Sequence, residues 1–104
     1  QSADRRWWLV QSEFLLLALR DPAISADFLR YQDSFFQELT ETVVAALASA
    51  RRRFTIDPEE GVRIIAELCA NGEARALLSG DERPFAERLS QTVPAILLAL
   101  TERA

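Results

Sequence analysis

The side chains available for acid–base or nucleophilic chemistry near neutral pH reduce to carboxylates, Tyr31 and Cys69, because the 104 residues include no His and all 12 cations are Arg. Without imidazole there is no Ser-His-Asp or Cys-His relay and no His-bearing zinc or di-iron site. Without Lys there is no Schiff base and no phosphate-binding ammonium. Cys69 falls on a small-residue helix face, with Arg63 and Arg75 on other faces, so it reads as a buried structural thiol. The carboxylates are spread over solvent faces, and no pair shares an apolar face as a tuned acid/base couple would. These residues predict a protein that is not an enzyme and uses no metal or cofactor.

The 16 Asp and Glu against 12 Arg leave a net charge of −4, which argues against nucleic-acid contact, since duplex affinity rests on cations that neutralise phosphates. A hydrophobic share of 49% suffices for one domain spanning residues 1–104. A lone Cys forms no internal disulfide, and the expected compartment is the cytoplasm. Residues 1–10 carry Asp4, Arg5 and Arg6 ahead of Trp7 and Trp8, unlike a targeting peptide, and the start at Gln1 suggests a piece of something longer. No apolar run reaches the roughly 18 residues a membrane span needs, so no membrane contact is expected.

The elements that position these groups read as helical throughout, with no strand pattern and no internal repeat. A first helix over 3–19 stops at Arg20-Asp21-Pro22, where Asp21 can cap a second helix over 22–50 and Pro22 supplies its first position. Arg51-Arg52-Arg53 complements the negative end of that helix and reads as a solvated terminus rather than an anion site. A third helix opens with a capping box, Asp57-Pro58-Glu59-Glu60, runs to Leu78 and stops at Ser79-Gly80. A last helix spans 84–102, with Pro94 expected to kink it. Segments 51–57 and 79–83 read as plain connections. The fold class is all-α, an antiparallel bundle of about four helices.

The first helix is apolar nearly all round and is expected to be central and buried. Gln11 falls between Trp7, Phe14 and Ala18 on an aromatic face. On the second helix, Phe28, Tyr31 and Phe35 share one side, and Gln32 falls among Phe28, Phe35, Phe36 and Leu39. Amides among aromatics need partners, and an aromatic-walled site with a few polar anchors is how small-molecule pockets are built. Trp7, Gln11, Phe14, Phe28, Tyr31, Gln32 and Phe35 are therefore the candidate ligand-binding residues, with core packing as the competing explanation.

The third helix carries Ile65, Leu68, Cys69, Gly72 and Ala76 on one side, a stripe that permits close helix approach. Gly72 in mid-helix costs about 1 kcal/mol and needs a packing reason. The last helix has an inner stripe of Phe85, Leu89, Val93, Ile96 and Leu100, yet from Pro94 to Leu100 it is apolar on every side. Pro94, Leu97 and Leu98, together with the third-helix stripe, form the candidate homodimer interface.

Arg20-Asp21-Pro22 between two helices, then Phe54-Thr55-Ile56-Asp57-Pro58-Glu59-Glu60, a Gly-containing helix and a Leu-rich terminal helix resemble the C-terminal regulatory domain of TetR-family transcriptional regulators. The resemblance covers essentially the whole chain. It implies an effector pocket formed largely by the first helices, a homodimer through the last two, and a small hydrophobic effector. DNA would be contacted only by an N-terminal helix-turn-helix domain that lies outside this sequence. Ligand would then act by shifting the population of the two arrangements of the DNA-reading heads. The alternative is a helical protein–protein interaction domain without a small-molecule ligand.

Overall fold

A computed structural model describes residues 3–104. Four helical segments make up the chain, as the periodicity predicts: α1 (Ala3–Arg20), α2 (Pro22–Ser49), α3 (Pro58–Ser79), and a fourth built from α4 (Arg83–Glu87), a π-helical turn (Arg88–Thr92) and α5 (Val93–Ala99). Two short strands, absent from the sequence pattern, complete it: β1 (Arg52–Phe54) and β2 (Thr101–Arg103). The chain divides into two units, Gln1–Phe35 and Phe36–Ala104, with α2 running through the division.

In the first unit, α1 passes to α2 through a single non-helical residue, Asp21. The Asp21 carboxylate accepts from the Ala23 N–H at 3.0 Å, and its own carbonyl takes the Ser25 N–H at 2.9 Å. Asp21 thus closes one helix and caps the next. The break lets Phe14 of α1 meet Phe28 of α2 edge to face, centroids 4.9 Å apart. Contrary to expectation, α1 is not a buried helix: Ala18 alone among its described side chains is buried, while Val10 and Leu19 are 63% and 74% exposed. The reason is its composition, because a helix apolar all round presents more surface than one neighbouring helix can cover.

In the second unit, the C-terminal half of α2 ends on Arg51, whose φ of 59° places it in the left-handed region that reverses the chain into β1. β1 and β2 pair antiparallel, with Arg52 opposite Arg103, Arg53 opposite Glu102 and Phe54 opposite Thr101. Backbone bonds from Thr55 N to the Leu100 carbonyl and from Ala104 N to the Arg51 carbonyl, each 2.9 Å, extend the ribbon at both ends. The segment 51–57 is therefore not a plain connection. The last helix also stops at Ala99, so residues 101–103 belong to the ribbon rather than to a helix ending at 102.

The ribbon explains two features of α3. Gly61 is buried beneath Phe54, and a Cβ there would sit 2.7 Å from the Phe54 ring. Asp57 caps the helix as the sequence predicts, its carboxylate accepting from the Glu60 N–H at 3.2 Å. At the far end Gly80, φ 75°, donates its N–H to the Ala76 carbonyl, a left-handed termination that glycine adopts without strain. Arg63 lies 4.4 Å over the Phe36 ring and pairs with Glu59 at 3.0 Å, fastening α3 to α2 within the unit.

The fourth helical segment departs from the expected stripe. Pro94 sits in the first turn of α5, where a missing N–H costs little, and the preceding π turn absorbs the disruption: the Val93 N–H reaches back to the Arg88 carbonyl. The extra residue in that turn changes the helical phase. Leu89 is consequently turned outward at 45% exposure, and Arg88 takes a half-buried place beside Phe85 on α3.

Candidate functional site

The predicted ligand-binding residues separate by helix phase. Along α2 the inward series is Ile24, Phe28, Gln32, Phe36, Leu39, Val43 and Leu47, all half-buried or buried. Tyr31 and Phe35 lie outside it, each half-exposed. On α1 the inward series is Trp8, Gln11, Phe14 and Ala18, with Trp7 turned out against the edge of Trp8, ring centroids 5.4 Å apart. Of the seven candidates, Gln11, Phe14, Phe28 and Gln32 thus point inward, while Trp7, Tyr31 and Phe35 do not.

Phe28 and Gln32 line one cleft of about 540 Å³ in the first unit, with Leu15, Ala18, Leu19, Pro22, Ser25 and Leu29 as its apolar and small walls and Arg20 at its edge. This volume lies within the range of about 300–1,000 Å³ typical of small-molecule sites. Phe14 supports the cleft from behind through its edge-to-face contact with Phe28. Sequence reasoning missed Leu15, Leu19 and Leu29, whose outward phase on nearly all-apolar stretches gives no signal of a concave surface. Trp8 Nε1 is the one enclosed side-chain polar atom without a hydrogen-bond partner among the described residues. An unmet donor of this kind costs about 1–3 kcal/mol.

A second cleft, about 480 Å³, lies in the second unit between α3 and α4, lined by Asn71, Gly72, Arg75, Ala76, Ser79, Asp81, Pro84, Phe85 and Arg88. Gly72 receives its packing reason here: a Cβ would stand 2.9 Å from the Phe85 ring, so glycine lets that ring lie on α3. Two members of the predicted pairing stripe are thereby used within the chain, Gly72 beneath Phe85 and Ala76 buried. Ile65, Leu68, Cys69 and Leu97 are half-buried, and Pro94 and Leu98 are the exposed members.

Burial pushes the Cys69 thiol above its usual pKa, and the Glu73 carboxylate adds to this. Arg88, brought in from the π turn, pulls the other way but does not win. The sequence placed no cation facing Cys69, because Arg88 is 19 positions away and reaches it only through the changed helical phase. The thiol is still protonated and half-buried, as a structural cysteine is. Among the described residues no group of three or more Cys, Asp and Glu converges as a metal site would. No helix there is long and apolar enough to cross a membrane.

Within the Arg51-Arg52-Arg53 cluster, Arg51 and Arg53 stay exposed as a solvated terminus would, while Arg52 is half-buried and bonded within the chain. Arg52 Nε donates to Thr101 Oγ1 at 2.8 Å, and its Nη2 reaches the Thr101 carbonyl at 3.1 Å and the Leu98 carbonyl at 3.5 Å. Arg53 pairs with Glu102 at 2.9 Å. Both guanidinium groups thus hold the C-terminal strand. No family model, curated protein or solved structure matches the chain.

Proposed function

We propose that this chain is the effector-sensing and pairing domain of a TetR-like transcriptional regulator, with a small, neutral, largely apolar ligand held in the first-unit cleft. The observation that carries this reading is that Phe28 and Gln32, an aromatic wall and an amide anchor, line the same apolar cleft of about 540 Å³. In this reading the helices assemble as an antiparallel bundle in the cytoplasm, a second copy packs along the exposed Pro94 and Leu98 face, and DNA is read by a domain outside this sequence. The domain performs no chemistry of its own.

A helical protein–protein interaction domain is the second reading, favoured by the exposure of Leu16, Leu17 and Leu19 on α1. Two measurements separate the readings. Sedimentation velocity is expected to show a dimer that Leu98→Asp converts to monomer; a strict monomer at high micromolar concentration defeats the pairing half. A screen of neutral aromatic compounds is expected to shift tryptophan emission saturably, and a broad panel without effect defeats the sensing half.

A further inference from the structure

The second-unit cleft supports an inference of its own, independent of the sensing site. Its lining brings Arg75 from α3 and Arg88 from the π turn to one concavity, alongside the apolar surfaces of Phe85, Pro84 and Ala76. No carboxylate pairs with Arg75 or Arg88 among the described residues. The one acid in the lining, Asp81, is already committed. Its carboxylate takes Arg83 Nε at 3.0 Å, Arg83 Nη2 at 3.1 Å and the Arg83 backbone N–H at 3.1 Å. Those bonds hold it below the usual carboxylate pKa range, ionised and neutralised by its neighbour. Arg88 spends only a long 3.5 Å bond from Nη1 on the Leu68 carbonyl, and Arg75 makes no side-chain bond among the described residues.

We infer that this cleft binds a small amphipathic carboxylate, its anionic head between Arg75 and Arg88 and its apolar body on Phe85. A guanidinium presents parallel N–H donors that match the two oxygens of a carboxylate. Phe85 is held flat on α3 because Gly72 has no side chain, so the apolar wall is preformed. A cation is repelled by the two arginines. A neutral analogue gains the wall but leaves both guanidinium groups unanswered.

The test uses three probes that share one apolar body and differ in charge: 4-phenylbutyrate, 4-phenyl-1-butanol and 4-phenylbutylamine, titrated into ¹⁵N-labelled protein. The expected result is saturable movement of the Gly72 amide and the Arg88 Nε–H with 4-phenylbutyrate, at an affinity about tenfold or more above that of the alcohol, with no binding of the amine. Arg75→Gln, at an exposed position with no side-chain bond among the described residues, is expected to weaken the carboxylate about tenfold while the thermal melt stays unchanged. Phe85→Ala in the same titration is expected to weaken acid and alcohol alike. Equal affinity for acid and alcohol, an unchanged affinity in Arg75→Gln, or carboxylate-induced shifts at Phe28 and Gln32 instead of Gly72 overturns the inference. Inorganic phosphate binding as tightly as 4-phenylbutyrate also overturns it, since the cleft would then read charge alone. The failure of neutral compounds at the first-unit cleft leaves all of these readouts unaffected, so the two proposals stand or fall separately.

Discussion

Arg52 and Thr101, 49 positions apart in the chain, are joined by a 2.8 Å hydrogen bond from Nε to Oγ1. The same hydroxyl donates onward to the Leu97 carbonyl at 2.6 Å, and the guanidinium reaches the Leu98 and Thr101 carbonyls. One arginine thereby reaches the Leu98 carbonyl near the end of α5, left without a helical partner, and anchors the strand that follows through Thr101.

Arg52→Met is expected to lower unfolding free energy by about 1.5–3 kcal/mol, the range for hydrogen bonds to a charged group, read by urea denaturation. Arg52→Lys recovers little of this, because one ammonium cannot span several acceptors in the plane of a guanidinium. Arg53→Gln breaks only an exposed pair with Glu102 and is expected to cost no more than about 1 kcal/mol. Equal losses at the two positions contradict the assignment.

Gly61 and Gly72 make opposite predictions from helix propensity and from packing. Propensity alone favours alanine by about 1 kcal/mol at each site. The close rings of Phe54 and Phe85 reverse the sign, and Gly61→Ala and Gly72→Ala are each expected to destabilise by about 1–3 kcal/mol in thermal melts. Shortening the ring, as in Phe54→Leu with Gly61→Ala, recovers part of the loss.

The Asp57 cap is expected to contribute about 0.5–2 kcal/mol, lost in Asp57→Ala and largely kept in Asp57→Ser. The Asp57 cap was legible in the sequence, as were the Asp21 cap and the Gly80 stop, because each depends on residues within four positions, whereas the reciprocal Glu60 half of the expected capping box is not seen among the described residues. The ribbon was not, since strands of three residues carry no periodicity and Arg52 finds Thr101 only through the tertiary path of the chain. The site was half legible for a similar reason. A wheel drawn at 100° per residue sets Tyr31 60° to one side of Phe28 and Gln32 40° to the other, and contact with α1 at Phe14 goes with the phase that holds Phe28 and Gln32 inward. Arg88 escaped detection because the π turn ahead of Pro94 rotates it into the place an unbroken helix gives to Leu89.

Cys69 supplies a pH signature. Its thiol is pushed up by burial, so the folded chain holds that proton to higher pH than the unfolded chain does. The favoured proton stabilises nothing at neutral pH, where both states are protonated. Stability is expected to fall as pH rises above the unfolded-state thiol pKa of about 8.5. Cys69→Ala should flatten that alkaline loss. At pH 8 the thiol is expected to react with a disulfide reagent more slowly than an unfolded-state control; faster labelling contradicts the burial-dominated environment.

The central claim concerns the cleft that Phe28 and Gln32 share. The direct measurement is a titration of ¹⁵N-labelled protein with 2-naphthol, a neutral aromatic body carrying one hydroxyl. The expected result is saturable movement of the Gln32 side-chain amide and the Leu29 backbone amide, with affinity reduced about tenfold in Gln32→Leu by loss of one anchoring bond. Shifts that stay linear to the solubility limit, or an unchanged affinity in Gln32→Leu, contradict it.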